Sequence, residues 1–231
     1  MPDYIDGNVD GQSFRAYQQR GTLSCGPASL VNAIYFLTGN LADEGTFRHE
    51  TGVQMTTKPV AATIRKLKFG KQGLRLLNKF NTFEDSPAYL ANNDLRPTMG
   101  QGNHFAFLYN ANEMNDCADI ADLQKSIKKY GLHSTSGAQI APNAAVNRAR
   151  AAFSLGGAKR CFIMGVKWTD TIEDEGGGHW IAVVGKRNDG SLIVLDSEAG
   201  VVVADRAPAY SQGANGESGF FDGYFIEIWG G

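Results

Sequence analysis

One of the three cysteines in this 231-residue chain stands where a thiol is chemically sharpened. Cys25 follows Gln19-Arg20-Gly21-Thr22-Leu23-Ser24 and opens a run in which Leu30, Ile34 and Leu37 recur at helical spacing. The nucleophile in cysteine chemistry is the thiolate, and the N–H groups and positive dipole end at a helix start favour that anion. A cysteine in this position is more often a small buried hydrophobe than a nucleophile, so partners decide its role. They lie far downstream, in Gly178-His179-Trp180-Ile181-Ala182-Val183-Val184, then Asn188-Asp189-Gly190, then Ser191-Leu192-Ile193-Val194-Leu195-Asp196. This pattern predicts a strand, a hairpin turn and a strand. A two-residue turn at Asn188-Asp189, or a four-residue one over 187–190, sets His179 opposite Glu198 with Asp196 as its diagonal neighbour. Diagonal neighbours share a face roughly 7–8 Å apart at the backbone, within reach of a carboxylate and an imidazole.

Such a set divides into three roles. Cys25 attacks a carbonyl carbon, His179 takes and returns the proton, and Asp196 holds the ring in one tautomer. A fourth role, donating to the developing oxyanion beside the Cys25 N–H, suits a side-chain amide. Gln18 and Gln19 both stand ahead of the cysteine.

With Gln19 ahead of Cys25-Gly26-Pro27-Ala28-Ser29, the apolar strand Cys161–Trp168 and the His179 to Asp196 hairpin, the chain resembles papain-like cysteine peptidases. Its pattern is most similar to the bacterial, bacteriocin-processing (C39-like) branch. The resemblance covers the first forty or so residues and those from about 140 to 200. It implies Gln19, rather than Gln18, as the oxyanion donor. It also implies an α+β papain-like fold, with a helical lobe bearing the nucleophile on a central helix against a curved antiparallel sheet. The sequence departs from the Cys-Gly-Ser-Cys-Trp pattern of plant and lysosomal relatives, and its third member is Asp in place of Asn. Both departures favour bacterial peptidases, and relatives that turn the same triad to deamidation or acyl transfer.

The elements that must position these residues follow from patterning. Ser24 can cap a helix over 25–38, with Pro27 tolerated in its first turn and Gly39 ending it. Further helices are expected over 59–69, 119–130 (capped by Asp119, stopped by Gly131) and 142–155 (stopped by Gly156-Gly157). Strands are expected over 161–168, 179–185, 191–196, 200–205 and 223–229. The chain then divides into a mainly helical part to about residue 157 and a mainly β part from about 158, within one catalytic domain over 1–231. Tyr210 to Gly219 reads as a surface loop, and 70–118 is the least legible region.

Composition narrows the function classes. A net charge of -2 leaves no basic footprint for nucleic acid. No apolar run approaches the 18 or so residues of a membrane span. The N-terminal Met1-Pro2-Asp3-Tyr4-Ile5-Asp6 lacks the basic start and apolar core of a secretory signal, so a cytoplasmic protein or one exported by a signal-independent route is expected. His49, His104 and His133 lack the Cys or His spacing of a zinc site, and neither metal nor cofactor is expected. His104 opens an apolar run of its own but has no hairpin with a terminal carboxylate. Cys117 and Cys161 are expected reduced. The residues together predict a peptidase acting on a peptide or protein through an acyl-enzyme. The alternatives are a glutamine deamidase or transglutaminase-like effector with the same triad, and a non-catalytic peptide-binding module.

Overall fold

Residues 25–38 form helix α1, Cys25–Thr38, whose first ten residues are all buried. Gly39 ends it in the left-handed conformation (φ 75°), its N–H bonded to Tyr35 O at 2.8 Å. Ser24 occupies the cap position, but its side chain makes no capping hydrogen bond; its carbonyl accepts the Ala28 N–H. The computed structural model describes residues 4–20, 24–51, 118, 120–168, 178–212 and 218–230, with backbone alone for 48–51. The expected helix over 59–69, the Asp119 cap, Cys117, His104, the 70–118 region apart from Ala118, and the His49 side chain lie outside the described residues.

The five expected strands are present as β4 (Arg160–Trp168), β5 (Gly178–Lys186), β6 (Leu192–Asp196), β7 (Gly200–Ala204) and β9 (Ser218–Trp229). They join β3 (His133–Gly137) and β8 (Ala209–Ser211) in a seven-stranded antiparallel sheet, ordered β3-β9-β4-β5-β6-β7 with β8 on β9. The fold is thus mixed α+β around one large antiparallel sheet. A separate hairpin, β1 (Tyr4–Val9) and β2 (Gln12–Tyr17), precedes α1. Strands therefore also occur in the part of the chain expected to be mainly helical. Helices α2 (Glu44–Thr51), α3 (Ile120–Lys129) and α4 (Pro142–Ser154) complete the described elements.

Both faces of the sheet are covered, which is why β4 and β5 read as continuous apolar runs and not as alternation. Ile163, Ala182, Val184 and Leu195 pack beneath α1 and α3, with Leu30, Ile34, Leu123 and Ile127. Phe162, Met164, Ile181, Val183 and Val194 pack against Ala145, Val146 and Ala149 of α4 on the other face. Cys161 is a free thiol fully buried in β4, and burial pushes its pKa far up. That suits a packing residue, not a reactive one.

The hairpin register corrects one expectation. Arg187 N bonds Ser191 O and Gly190 N bonds Arg187 O, so the loop is Asn188-Asp189-Gly190, with Gly190 at φ 87°. A type I turn followed by a left-handed glycine gives this three-residue loop. Beside it Lys186 pairs with Leu192, one residue off the expected ladder; a bulge at Val184 then restores the expected pairing of Val183 with Val194 and Ala182 with Leu195. Two one-residue offsets cancel, so His179 and Asp196 keep a common face.

Candidate active site

Three local devices bring Cys25 to the start of β5. Asn32 on α1 accepts the Tyr17 N–H through Oδ1 at 2.7 Å, tying the end of β2 to the helix. Glu44 accepts Tyr17 Oη at 2.6 Å and the Arg20 N–H at 3.2 Å, anchoring the segment that leads into Cys25. Ser29 Oγ donates to Trp180 O at 2.8 Å, fixing the helix along the strand. Residues four apart share a helix face, so Cys25 stands one turn beyond Ser29 on the side of β5. The thiol lies within hydrogen-bonding reach of the His179 ring.

On β5, His179 shares the face of Ile181 and Val183, opposite the one that α1 covers. Thiol and imidazole thus meet at the end of the sheet. His179 Nε2 lies 3.0 Å from Asp196 Oδ1, and both residues are buried. Val166 of β4 pairs with His179, and Trp168, two residues further along β4, stacks on the His179 ring at 5.5 Å.

Asp196 is fully buried, a costly place for a charge. Five donors meet it. Oδ1 accepts from His179 and from the Glu198 and Ala199 N–H groups at 2.8 and 3.2 Å; Oδ2 accepts Tyr210 Oη at 2.5 Å and Gln212 Nε2 at 3.3 Å. Burial alone would raise its pKa; the hydrogen bond and charge of His179, with the Tyr210 and Glu198 donors, bring it down to about 2. An ionised carboxylate is acceptor-only, so Nε2 must carry a proton. Nδ1 is left as the nitrogen whose protonation can change, on the side available to Cys25. Burial pushes the His179 pKa down, yet the hydrogen bonds and charges of Asp196 and Cys25 outweigh it and hold the imidazolium well above its ordinary range.

Gln19 is brought to the turn that follows Asp196. Its N–H bonds Ser197 O at 2.9 Å, its Oε1 accepts Ser197 Oγ at 2.8 Å, and its Nε2 donates to Glu198 Oε1 at 2.6 Å. One N–H of the amide is thereby occupied by Glu198, and among the described residues the other has no hydrogen-bond partner. His133 is exposed on β3 and stacks on Trp229.

Tyr210, Gln212 and Trp168 were not legible as site residues. The segment expected as a surface loop begins with Tyr210 on β8, 2 % exposed, and Gln212, 7 % exposed, both bonded to Asp196. An aromatic among Pro, Ala and Ser carries no signal for such a role; its register on β9, where it pairs with Gly219, is what delivers it. Among the described residues no group of three His, Cys, Asp or Glu could hold a metal ion, and no helix is long and apolar enough to cross a membrane.

No protein-family model matches the sequence, and no curated protein matches it. Solved structures similar to it include the following two. One is the peptidase domain of Streptococcus ComA, a bifunctional ABC transporter involved in a quorum sensing pathway: 13 % identity, TM-score 0.44, over 93 % of this chain and 96 % of that one. The other is a double glycine motif protease from an AMS/PCAT transporter in complex with the leader peptide: 13 % identity, TM-score 0.37, over 93 % and 89 %.

Proposed function

We propose that this chain is a papain-like thiol hydrolase that cleaves peptide bonds through Cys25, His179 and Asp196. One observation carries the reading: a buried imidazole set between an ionised carboxylate on Nε2 and a thiol at a helix start. Such a ring has one nitrogen fixed as donor and one free to exchange a proton with sulfur.

In this reading, Sγ of Cys25 gives its proton to Nδ1 of His179 and attacks the scissile carbonyl carbon, whose π electrons move to oxygen. The Cys25 N–H and the remaining Nε2–H of Gln19 donate to that oxyanion. As the carbonyl re-forms, the C–N bond breaks and the leaving amine takes the proton from His179. Water, deprotonated by His179, then hydrolyses the thioester and frees Cys25. Asp196 keeps its charge throughout and stabilises the imidazolium.

The test is an N-terminal profile of a peptide mixture treated with the wild-type chain and with Cys25→Ala. Cys25 has a small side chain at the end of the helix, so its loss should leave folding intact. New N-termini are expected with the wild type alone. Equal products from both proteins overturn the triad, and conversion of carboxamides to acids without chain cleavage transfers the same residues to the deamidase reading.

A further inference from the structure

A cleft of about 460 Å³ opens beside His179, and its walls are small or apolar: Ala118, Ala121, Gly165, Trp180 and Tyr224. Among the described residues one charged side chain other than His179 lines it, that of Asp222. The cleft reaches the nucleophile's neighbour, since a Cβ on Gly26 would meet Ala118 Cβ at 2.8 Å and Trp180 Cδ1 at 3.4 Å. We propose that this cleft is a specificity pocket for a basic side chain of the peptide substrate, a lysine or arginine whose aliphatic stem lies on the apolar walls and whose cationic end pairs with Asp222. The proposal rests on the peptidase reading above.

The sheet is built to leave this carboxylate in the cleft. The ladder between β4 and β9 shifts register between Met164 and Val166, and a Cβ on Gly165 would stand 2.5–2.9 Å from the Asp222 carboxyl. Only a residue without a side chain leaves Asp222 its place. Asp222 Oδ1 accepts the Tyr224 N–H at 2.9 Å, a local turn bond that needs an acceptor but no charge. Among the described residues no cation is hydrogen-bonded to the carboxylate, and Lys167 acts on it only through space. Burial accordingly lifts the Asp222 pKa above its ordinary range, a cost that an incoming ammonium or guanidinium relieves. A long side chain with an apolar stem and a charged end matches a pocket of this composition.

Asp222→Asn keeps the turn acceptor and removes the charge, which makes it the decisive variant. Peptides differing only by lysine, arginine or norleucine at each position around one cut are compared by kcat/KM. The wild type should prefer the basic residues at one fixed position, and Asp222→Asn should lose that preference by at least about tenfold while still cutting the norleucine peptide. Equal preference in the two proteins overturns the pocket. A second arm needs no turnover: the Trp180 indole NMR signal of Cys25→Ala is titrated with Nα-acetyl-lysine methylamide and with its norleucine counterpart. Selective response to lysine, abolished in Cys25→Ala/Asp222→Asn, sustains the pocket even if no peptide is cut and the peptidase reading fails. Indistinguishable response to the two amides overturns it.

Discussion

Tyr210→Phe isolates one hydroxyl from an otherwise unchanged ring. The ring is 2 % exposed and meets Phe221 at 5.8 Å and Trp168 at 6.1 Å, contacts that phenylalanine keeps. What disappears is a donor at 2.5 Å from a fully buried, ionised carboxylate, leaving Oδ2 with Gln212 at 3.3 Å. Hydrogen bonds to charged groups contribute about 1.5–3 kcal/mol. The whole environment lowers Asp196 from 3.8 in the unfolded chain to about 2, a linkage of about 2 kcal/mol to which Tyr210 is one contributor. The sign follows from that direction. A carboxylate with a depressed native pKa adds stability that is complete above pH 3.8 and lost as pH falls toward 2. Tyr210→Phe should therefore destabilise by about 1.5–3 kcal/mol at pH 5–7, and the deficit should narrow below pH 3.8. Urea unfolding at pH 7, 5, 4 and 3 measures this. A deficit of equal size at every pH would refute the electrostatic reasoning, and no deficit at pH 7 would show that the hydroxyl does not stabilise the charge.

Two further outcomes probe the proposed oxyanion donor and the cleft's supporting turn. Gln19→Ala should lower kcat by roughly 10²–10³-fold with KM little changed, because the donor matters mainly when charge develops on the carbonyl oxygen; if Gln18→Ala gives that signature instead, the role lies one residue earlier. Gly223→Ala should cost more than about 3 kcal/mol in denaturant unfolding, since Gly223 has φ 90° and a Cβ there would lie 1.9 Å from Ile140 O. Gly39→Ala, at φ 75° with nothing within 4 Å, should cost only about 1 kcal/mol; equal losses at the two glycines would show that the Ile140 contact is not decisive.

Helix α1 was legible because its apolar spacing, proline and terminal glycine agree with one another, and the five long strands because β-branched runs fall between turn residues. The β1–β2 hairpin was missed despite a usable signal: Asp10-Gly11 is a two-residue turn in which both residues take positive φ, 52° and 81°. β3, His133-Ser134-Thr135-Ser136-Gly137, offers no apolar alternation; its place is given by pairing with β9. The common face of His179 and Asp196 was anticipated through a turn of two or four residues where the chain makes three, and the Val184 bulge made up the difference. Bulges leave little trace in a run such as Ile181-Ala182-Val183-Val184-Gly185, where every residue suits a buried strand.

The same limit explains why the residues that charge the site were harder to find than those proposed to react. The proposed nucleophile, base and orienting carboxylate each sit at an element boundary, and boundaries have signatures: a helix start for Cys25, a strand start for His179, a strand end for Asp196. The donors that let Asp196 stay ionised where water cannot reach have no common local signature. Two are backbone N–H groups of the turn 198–199, which any residue but proline supplies, and two are side chains from 210–212 brought in by β8 pairing with β9. A buried carboxylate at a strand end is therefore the useful clue in itself. An uncompensated charge there would take up a proton, and a neutral acid would no longer stabilise an imidazolium. Once Asp196 is proposed to carry that charge, the segments folding back on it must supply donors, so Tyr210 and Gln212 are better read as the lining of the charge than as parts of a surface loop.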